Sequence, residues 1–243
     1  MPVELPTMNA RISDEITRVR RVYRGYAERG RGAREWAPDH PGNRAMVDER
    51  TRVLAGLLER SGRLPLGSRR VLDVGCGDGE VLAGLVRWGA LSDRLVGVDV
   101  RGDAVAHAHA RWPEMGLEVA DASALPYRDA SFDLALCFTL FTSILDDGIA
   151  RRVAAEVRRV LRPGGALLWY DFRVGNPWNP YVRAMSRRSV RALFPGWAGT
   201  FRLVTLLPPL ARRLHSLTPV LYPVLAVVPP LRTHWAVLLE CPE

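Results

Sequence analysis

The chain has 243 residues, 48% of them hydrophobic and 25% charged, which is enough to bury one core, so a single domain is expected. Its formal net charge of +8 rests on 34 basic residues, all of them Arg; the absence of Lys excludes Schiff-base and lysine-base chemistry. The three cysteines, Cys76, Cys137 and Cys241, are odd in number and lack paired spacing, which argues against a disulfide framework and a zinc site, and no metal is expected.

The first residues lack a basic stretch followed by an apolar one, so a cytoplasmic location is expected. Residues 11–28 carry Ile12, Ile16, Val19, Val22, Tyr23 and Tyr26 at helical spacing, with Ser13 and Asp14 as caps. Residues 29–43 read as a loop, and Val47, Val53, Leu54, Leu57 and Leu58 mark a helix from about Arg44 to Ser61. Strands are then expected at 70–74, 94–99 and 117–120, separated by helices at 79–88 and 103–111. His107 and His109 in the second of these face different sides, which suits surface or packing roles. A strand at 132–138, a helix from about Asp146 to Leu161 ended by Pro163-Gly164-Gly165, and a strand at 166–172 complete the alternation of a parallel, doubly wound sheet.

The polar, proline-stiffened loop Arg173 to Pro180 precedes a short helix at 186–194, a strand at 200–207 and a last strand at 233–240. Between these two strands, Leu217 to Leu231 carries no charge but is interrupted by Pro219, Pro223, Pro229 and Pro230. It is too short and broken to cross a bilayer. A substrate lid or dimer contact is the plain expectation, and an apolar lid for a lipid-linked acceptor, or a shallow membrane contact flanked by Arg212 and Arg213, the sharper one.

The chain is organised around Val71-Leu72-Asp73-Val74-Gly75-Cys76-Gly77-Asp78-Gly79-Glu80, which reads as strand, tight turn and helix start. Glycines suit a backbone that approaches a ligand with φ above zero. A dinucleotide fingerprint would need a third glycine at position 80, which is Glu, and Asp73 and Asp78 add further carboxylates. Three acids are a poor environment for a pyrophosphate and suit a hydroxyl-rich ligand bearing an ammonium or sulfonium group. Asp99 ends the next strand, twenty residues past Gly79, where this fold places an acceptor for ribose hydroxyls.

With Asp99, this turn resembles the class I S-adenosylmethionine-dependent methyltransferases. Asp121-Ala122, Leu125-Pro126-Tyr127, Ser131 to Leu136 and Leu161 to Gly165 continue the resemblance in order over roughly residues 45–240. It implies S-adenosylmethionine as cofactor and an α/β fold with a doubly wound seven-stranded, mostly parallel sheet, order 3-2-1-4-5-7-6, its last strand antiparallel. By the same resemblance the backbone from Gly75 through Cys76 to Gly77 approaches the methionine moiety, Asp99 takes the ribose hydroxyls, and Asp121 with Ala122 meets the adenine. Asp73, Val100, Phe138 and Thr139 complete the expected cofactor set, and the N-terminal helix closes over it, bringing Tyr23 or Tyr26 near. The single domain then divides into an N-terminal helical lid (1–62), a core (63–207 and 233–243) and an apolar lid insertion (208–232).

The D/N-P-P-Y/F signature of amino-methylating enzymes that act on nucleic acid bases is absent after the fourth strand, where Cys137-Phe138-Thr139-Leu140 stands, and neither Cys137 nor Cys241 is placed as a C5 nucleophile. A small-molecule acceptor follows, most simply a hydroxyl of a sugar, lipid-linked glycan or secondary metabolite. C-methylation of a quinone or prenyl-type acceptor is the alternative, and a nucleic-acid methyltransferase or non-catalytic cofactor-binding protein the reading of another class. No nucleic acid partner is expected; a homodimer and a peripheral membrane contact stay open. The ligand of such a sheet sits at the carboxyl ends of its parallel strands, and the antiparallel last strand begins there. His234 is therefore the expected general base, oriented by Asp171 on the neighbouring strand, with Arg173 and Asn176 on the adjoining loop.

Overall fold

The computed structural model of the chain describes residues 7–28, 37–176 and 179–243. Most of the loop expected at 29–43, and Pro177 and Trp178 of the loop after the fifth strand, lie outside the described residues. Among the described residues, the elements run α1 (Met8–Glu28), α2 (Pro41–Arg60), β1 (Val71–Val74), α3 (Glu80–Ala83), β2 (Leu95–Asp99), α4 (Gly102–Arg111), β3 (Gly116–Val119), β4 (Phe132–Phe138), α5 (Asp147–Val160) and β5 (Leu161–Phe172). They continue as α6 (Arg187–Leu193), β6 (Ala198–Leu206), α7 (Pro208–Arg213), α8 (Thr218–Ala226) and β7 (Arg232–Glu240), with short 3-10 turns between some of them.

The seven strands form one sheet in the order β3-β2-β1-β4-β5-β7-β6. Neighbours from β3 to β5 are parallel, and β7 runs antiparallel to both β5 and β6. The sheet has helices on both faces because its strands are apolar on both. Leu72, Val74, Cys137, Trp169 and Val237 point to one side, where Ile149, Val153 and Val157 of α5 cover them. Val71, Leu134, Leu136, Leu168 and Leu238 point to the other, against Leu54, Leu57 and Leu58 of α2. Each such side chain contributes about 1.5–3 kcal/mol on burial, so Val153→Asp would break the α5 face.

The helix boundaries follow local chemistry. Asp146 caps α5, its Oδ1 accepting from Gly148 N (2.7 Å) and Ile149 N (3.0 Å). Helix α2 starts three residues earlier than expected, where the His40 imidazole accepts from Gly42 N and Pro41 takes the first helical position. Helix α1 also starts early, at Met8, with the Thr7 hydroxyl accepting from Ala10 N; Ser13 and Asp14 lie inside the helix and cap nothing. The helix expected at 79–88 is one α turn followed by a 3-10 turn, Gly84–Trp88.

The insertion between β6 and β7 folds as α7 and α8 and packs on α2. A Cβ at Gly42 would lie 2.3 Å from the Ala211 carbonyl oxygen, so a glycine is what lets α7 touch α2. Met46, Leu206, Ala211, Leu214, Tyr222 and Ala226 form a small core of their own beneath it. The buried Tyr222 hydroxyl donates to Glu49 Oε2 at 2.8 Å, and Arg232 pairs with Glu49 Oε1 at 2.9 Å.

Candidate functional site

A cavity of about 240 Å³ opens at the carboxyl ends of the parallel strands. Its floor is the turn after β1. Gly75 (φ 83°) and Gly77 (φ 56°) both adopt left-handed backbone, and Gly75 N and Cys76 N donate to the Val98 carbonyl at 2.7 and 2.9 Å, pinning the turn to β2. A Cβ at Gly75 would stand 3.1 Å from Leu140 Cδ1, so any side chain there would be strained and crowded as well as intruding on the cavity. Gly97 serves the same turn from beneath: a Cβ there would lie 2.9 Å from Cys76 Sγ.

Two carboxylates face this turn in different states. Asp99, buried at the end of β2, accepts from Gly77 N through Oδ2 (2.9 Å) and from Arg101 N through Oδ1 (2.8 Å), and Arg101 Nε lies 3.4 Å from Oδ1. Each oxygen keeps a second lone pair for a ligand hydroxyl. Asp73 is buried too, but its Oδ1 has no hydrogen-bond partner. Burial first, and then the neighbouring Asp99 charge, push its carboxyl up to about 7, against the pull of Arg50. A buried carboxylate oxygen without a donor is costly. It fits a cationic ligand that supplies the donor, as the ammonium of S-adenosylmethionine would.

The other walls come from farther along the chain. Val98, Asp99, Val100 and Arg101 line one side, and Phe138, Thr139 and Leu140 another. Thr139 has φ 52°, an uncommon conformation for a β-branched residue, held by Thr139 N donating to the Tyr170 carbonyl at 2.7 Å. Helix α1 closes the opening with Val19 and Tyr23. The Tyr23 hydroxyl lies 3.3 Å from Ser143 Oγ, and the Arg101 guanidinium sits 4.5 Å over its ring. Tyr26 lines none of the cavity and instead donates to Asn179 Oδ1.

Where the sequence leads one to expect adenine, the structure departs from expectation at one residue. Ala120 and Ala122 line the cavity, but the Asp121 carboxylate turns to Ser123, accepting from its amide at 2.8 Å and its hydroxyl at 2.7 Å. Asp121 thus holds the turn that presents Ala122, because a short acidic side chain bonds most readily to the backbone two residues on.

The expected base pair is not formed. Phe172 stands opposite His234 in the β5–β7 register and Asp171 opposite Trp235, so successive side chains send Asp171 and His234 to different faces of the sheet. His234 is buried, its ring 4.0 Å from that of Phe172 and stacked 4.7 Å from that of Tyr170. Burial and the Arg50 charge lower it to about 3, so it is neutral at ordinary pH. Asp171 is fully buried and pushed up to about 8 by burial. Its carboxylate accepts from Thr142 N and Phe172 N, both at 3.0 Å, which fixes the segment carrying Thr139 and Ser143. Neither residue lines the cavity, and nor does any residue of 208–232. Where the sequence suggested a lid over the acceptor, the structure has a brace behind α2.

Several lining residues escaped the sequence reading, Arg50, Arg101, Ser143 and Tyr170 among them. Arg50, on α2, holds its guanidinium 5.7 Å from the Phe138 ring and 5.2 Å from the Tyr170 ring, with no carboxylate in ion-pair distance among the described residues. Tyr170 is buried, its hydroxyl 2.7 Å from Thr205 Oγ1, and burial pushes it up to about 12, so it stays protonated.

Residues 71–165 match the family model described as "Methyltransferase domain". The chain is 37% identical over 136 residues to 27-O-demethylrifamycin SV methyltransferase of Amycolatopsis mediterranei, covering 53% of this chain and 47% of that protein. It is 33% identical over 162 residues to phthiotriol/phenolphthiotriol dimycocerosates methyltransferase of Mycobacterium tuberculosis, covering 60% and 56%. The matches therefore span about half the length of these two relatives. Among solved structures, geranyl diphosphate C-methyltransferase from Streptomyces coelicolor A3(2) aligns with a TM-score of 0.57 at 15% identity, over 78% of this chain and 76% of that one, a likeness of fold alone. Residues 71–165 are therefore a methyltransferase domain, set in a sheet whose strand order is the one that the resemblance to class I S-adenosylmethionine-dependent methyltransferases implies.

Proposed function

We propose that the protein transfers a methyl group from S-adenosylmethionine to a small-molecule acceptor, most simply a hydroxyl. The observation that carries the reading is the unpartnered Asp73 Oδ1 in a cavity that also presents Asp99 on one side and Arg50 on another. Asp73 takes the ammonium and Arg50 the carboxylate of the amino acid, while Asp99 takes the ribose hydroxyls. The cofactor supplies an electrophilic methyl on a sulfonium. The chain's part is to hold the acceptor atom behind that methyl and to exclude water, with Tyr23 closing the opening.

With His234 and Asp171 off the cavity, no placed imidazole takes the acceptor's proton. The reading that fits is catalysis by positioning, on a hydroxyl acidic enough to release its own proton. The methyltransferases named above, one of them an O-demethylrifamycin enzyme, support a small-molecule acceptor. Calorimetry with S-adenosylhomocysteine tests the cofactor site: Asp99→Ala should cost about 1.5–3 kcal/mol of affinity, and unchanged affinity would sink the assignment. Mass spectrometry of metabolite and glycolipid pools given labelled S-adenosylmethionine then identifies the acceptor by the gain of one methyl.

A further inference from the structure

The insertion that braces α2 has an outer face that the fold leaves bare. Helix α8 buries Thr218, Tyr222 and Ala226. On the opposite side Leu217, Val220, Val224 and Val227 are 58, 68, 61 and 74% exposed, at the three- and four-residue spacing of one helical stripe. Val228 and the exposed prolines 219, 223, 229 and 230 extend the same surface. Helix α8 is thus apolar on both sides, a pattern of helices that are covered all round or lie in lipid.

Charge decides between those covers. From Phe172 to Leu239 the chain has nine arginines and no Asp or Glu, while the remaining residues carry 25 arginines against 26 acids. The whole excess of positive charge lies in the third of the chain that holds the bare face. Arginines stand at both ends of the stripe: Arg213, exposed, and Arg212, bonded to Asn43 Oδ1, lie before it. Arg173, whose guanidinium donates to the carbonyls of Pro229 and Arg232, lies after it. A second copy docking through this face by two-fold symmetry would set arginines against arginines, with no carboxylate of the segment to pair them. Anionic lipid headgroups supply that missing charge, and acyl chains the apolar cover. No helix among the described residues is long and apolar enough to cross a membrane, which suits a shallow contact.

We propose that the α8 face, with Arg213 and Arg173 at its ends, docks this protein on an anionic lipid surface. The test is cosedimentation of the full chain with vesicles of phosphatidylcholine, with and without phosphatidylglycerol. Binding is expected only where phosphatidylglycerol is present and should weaken as salt rises. Val220→Ser together with Val224→Ser should weaken it roughly tenfold or more, and Arg213→Ala about fivefold. Both variants change exposed side chains, so melting temperature and S-adenosylhomocysteine affinity should stay at wild-type values. The proposal fails if wild-type protein stays in solution with the anionic vesicles or if the serine pair binds them as well as wild type does. It also fails if sedimentation equilibrium shows a dimer that the serine pair dissolves, which would give the face to a second copy. Vesicle binding is read without turnover, so its outcome is separate from the identity of the methyl acceptor.

Discussion

Asp73 and Arg50 face one cavity from different layers of the fold, Asp73 from within β1 and Arg50 from α2, and among the described residues neither has an ion-pair partner. An acid and a guanidinium set across a cavity match the two charges of a free amino acid. Arg50→Met keeps an apolar stem against Phe138 and Tyr170 but loses the guanidinium. S-adenosylhomocysteine affinity should then fall by about 1.5–3 kcal/mol, while 5′-methylthioadenosine, which lacks the amino acid, should bind as before. Equal loss for both ligands would place Arg50 away from the carboxylate.

The Asp73 carboxyl, pushed up to about 7 by burial and the neighbouring Asp99 charge, makes cofactor binding depend on pH. Below that value the group carries a proton and cannot meet an ammonium as an anion. Affinity for S-adenosylhomocysteine should therefore drop about tenfold per pH unit as pH falls below about 7, and level off above it. Asp73→Asn should bind weakly at every pH with that dependence gone. Calorimetry from about pH 5.5 to pH 8.5 reads both.

Much of this arrangement was legible in the sequence, and what was not has physical reasons. The turn after β1 could be read because Gly75, Gly77 and Gly79 all adopt positive φ, a local demand that shows in residue type. The doubly wound parallel sheet could be read because apolar runs alternate with helical patterns, whereas the strand order followed only from the family resemblance. Arg50 was not legible, since on α2 it is one arginine among several and only tertiary packing turns it to the cavity. The topology puts His234 at the sheet edge where β7 begins, but which face its side chain takes depends on the register with β5. A register pairing Phe172 with His234 makes the imidazole part of an aromatic stack. The insertion's composition was evident, yet whether it covered the cavity or α2 depended on the close approach at Gly42, which no periodicity reveals.

Tyr222 ties the insertion to the core. Its hydroxyl donates to Glu49 Oε2 and accepts from Leu206 N at 3.3 Å, and Glu49 also accepts from Thr205 N at 2.9 Å. Tyr222→Phe leaves the buried Leu206 amide without an acceptor and removes a donor from Glu49. It should cost about 1–3 kcal/mol of stability, seen as a melting temperature lower by about 2–4 °C per kcal/mol. S-adenosylhomocysteine should still bind, since none of these groups lines the cavity. An unchanged melting temperature would mean that the insertion is held by apolar packing alone.

His234 and Asp171 give opposite pH signatures in stability and none in turnover. Asp171, raised to about 8 by burial, keeps in the folded state a proton that the unfolded chain releases above about pH 4, so stability declines as pH rises across that window. His234, lowered to about 3, refuses a proton that the unfolded chain accepts below about pH 6.5, so its contribution is lost as pH falls below that value. Asp171→Asn should flatten the decline towards pH 8, leaving a slope that ends near pH 7, where Asp73 stops contributing. His234→Gln should reduce the loss on the acid side, which thermal melts from about pH 5 to pH 9 would measure. Turnover is a separate readout. Because neither side chain reaches the cavity, both variants should keep the wild-type shape of the kcat profile over the same range, whatever their change in stability. An ionisation near neutrality that is present in wild-type kcat and absent from His234→Gln would restore the imidazole as the base and overturn the positional reading.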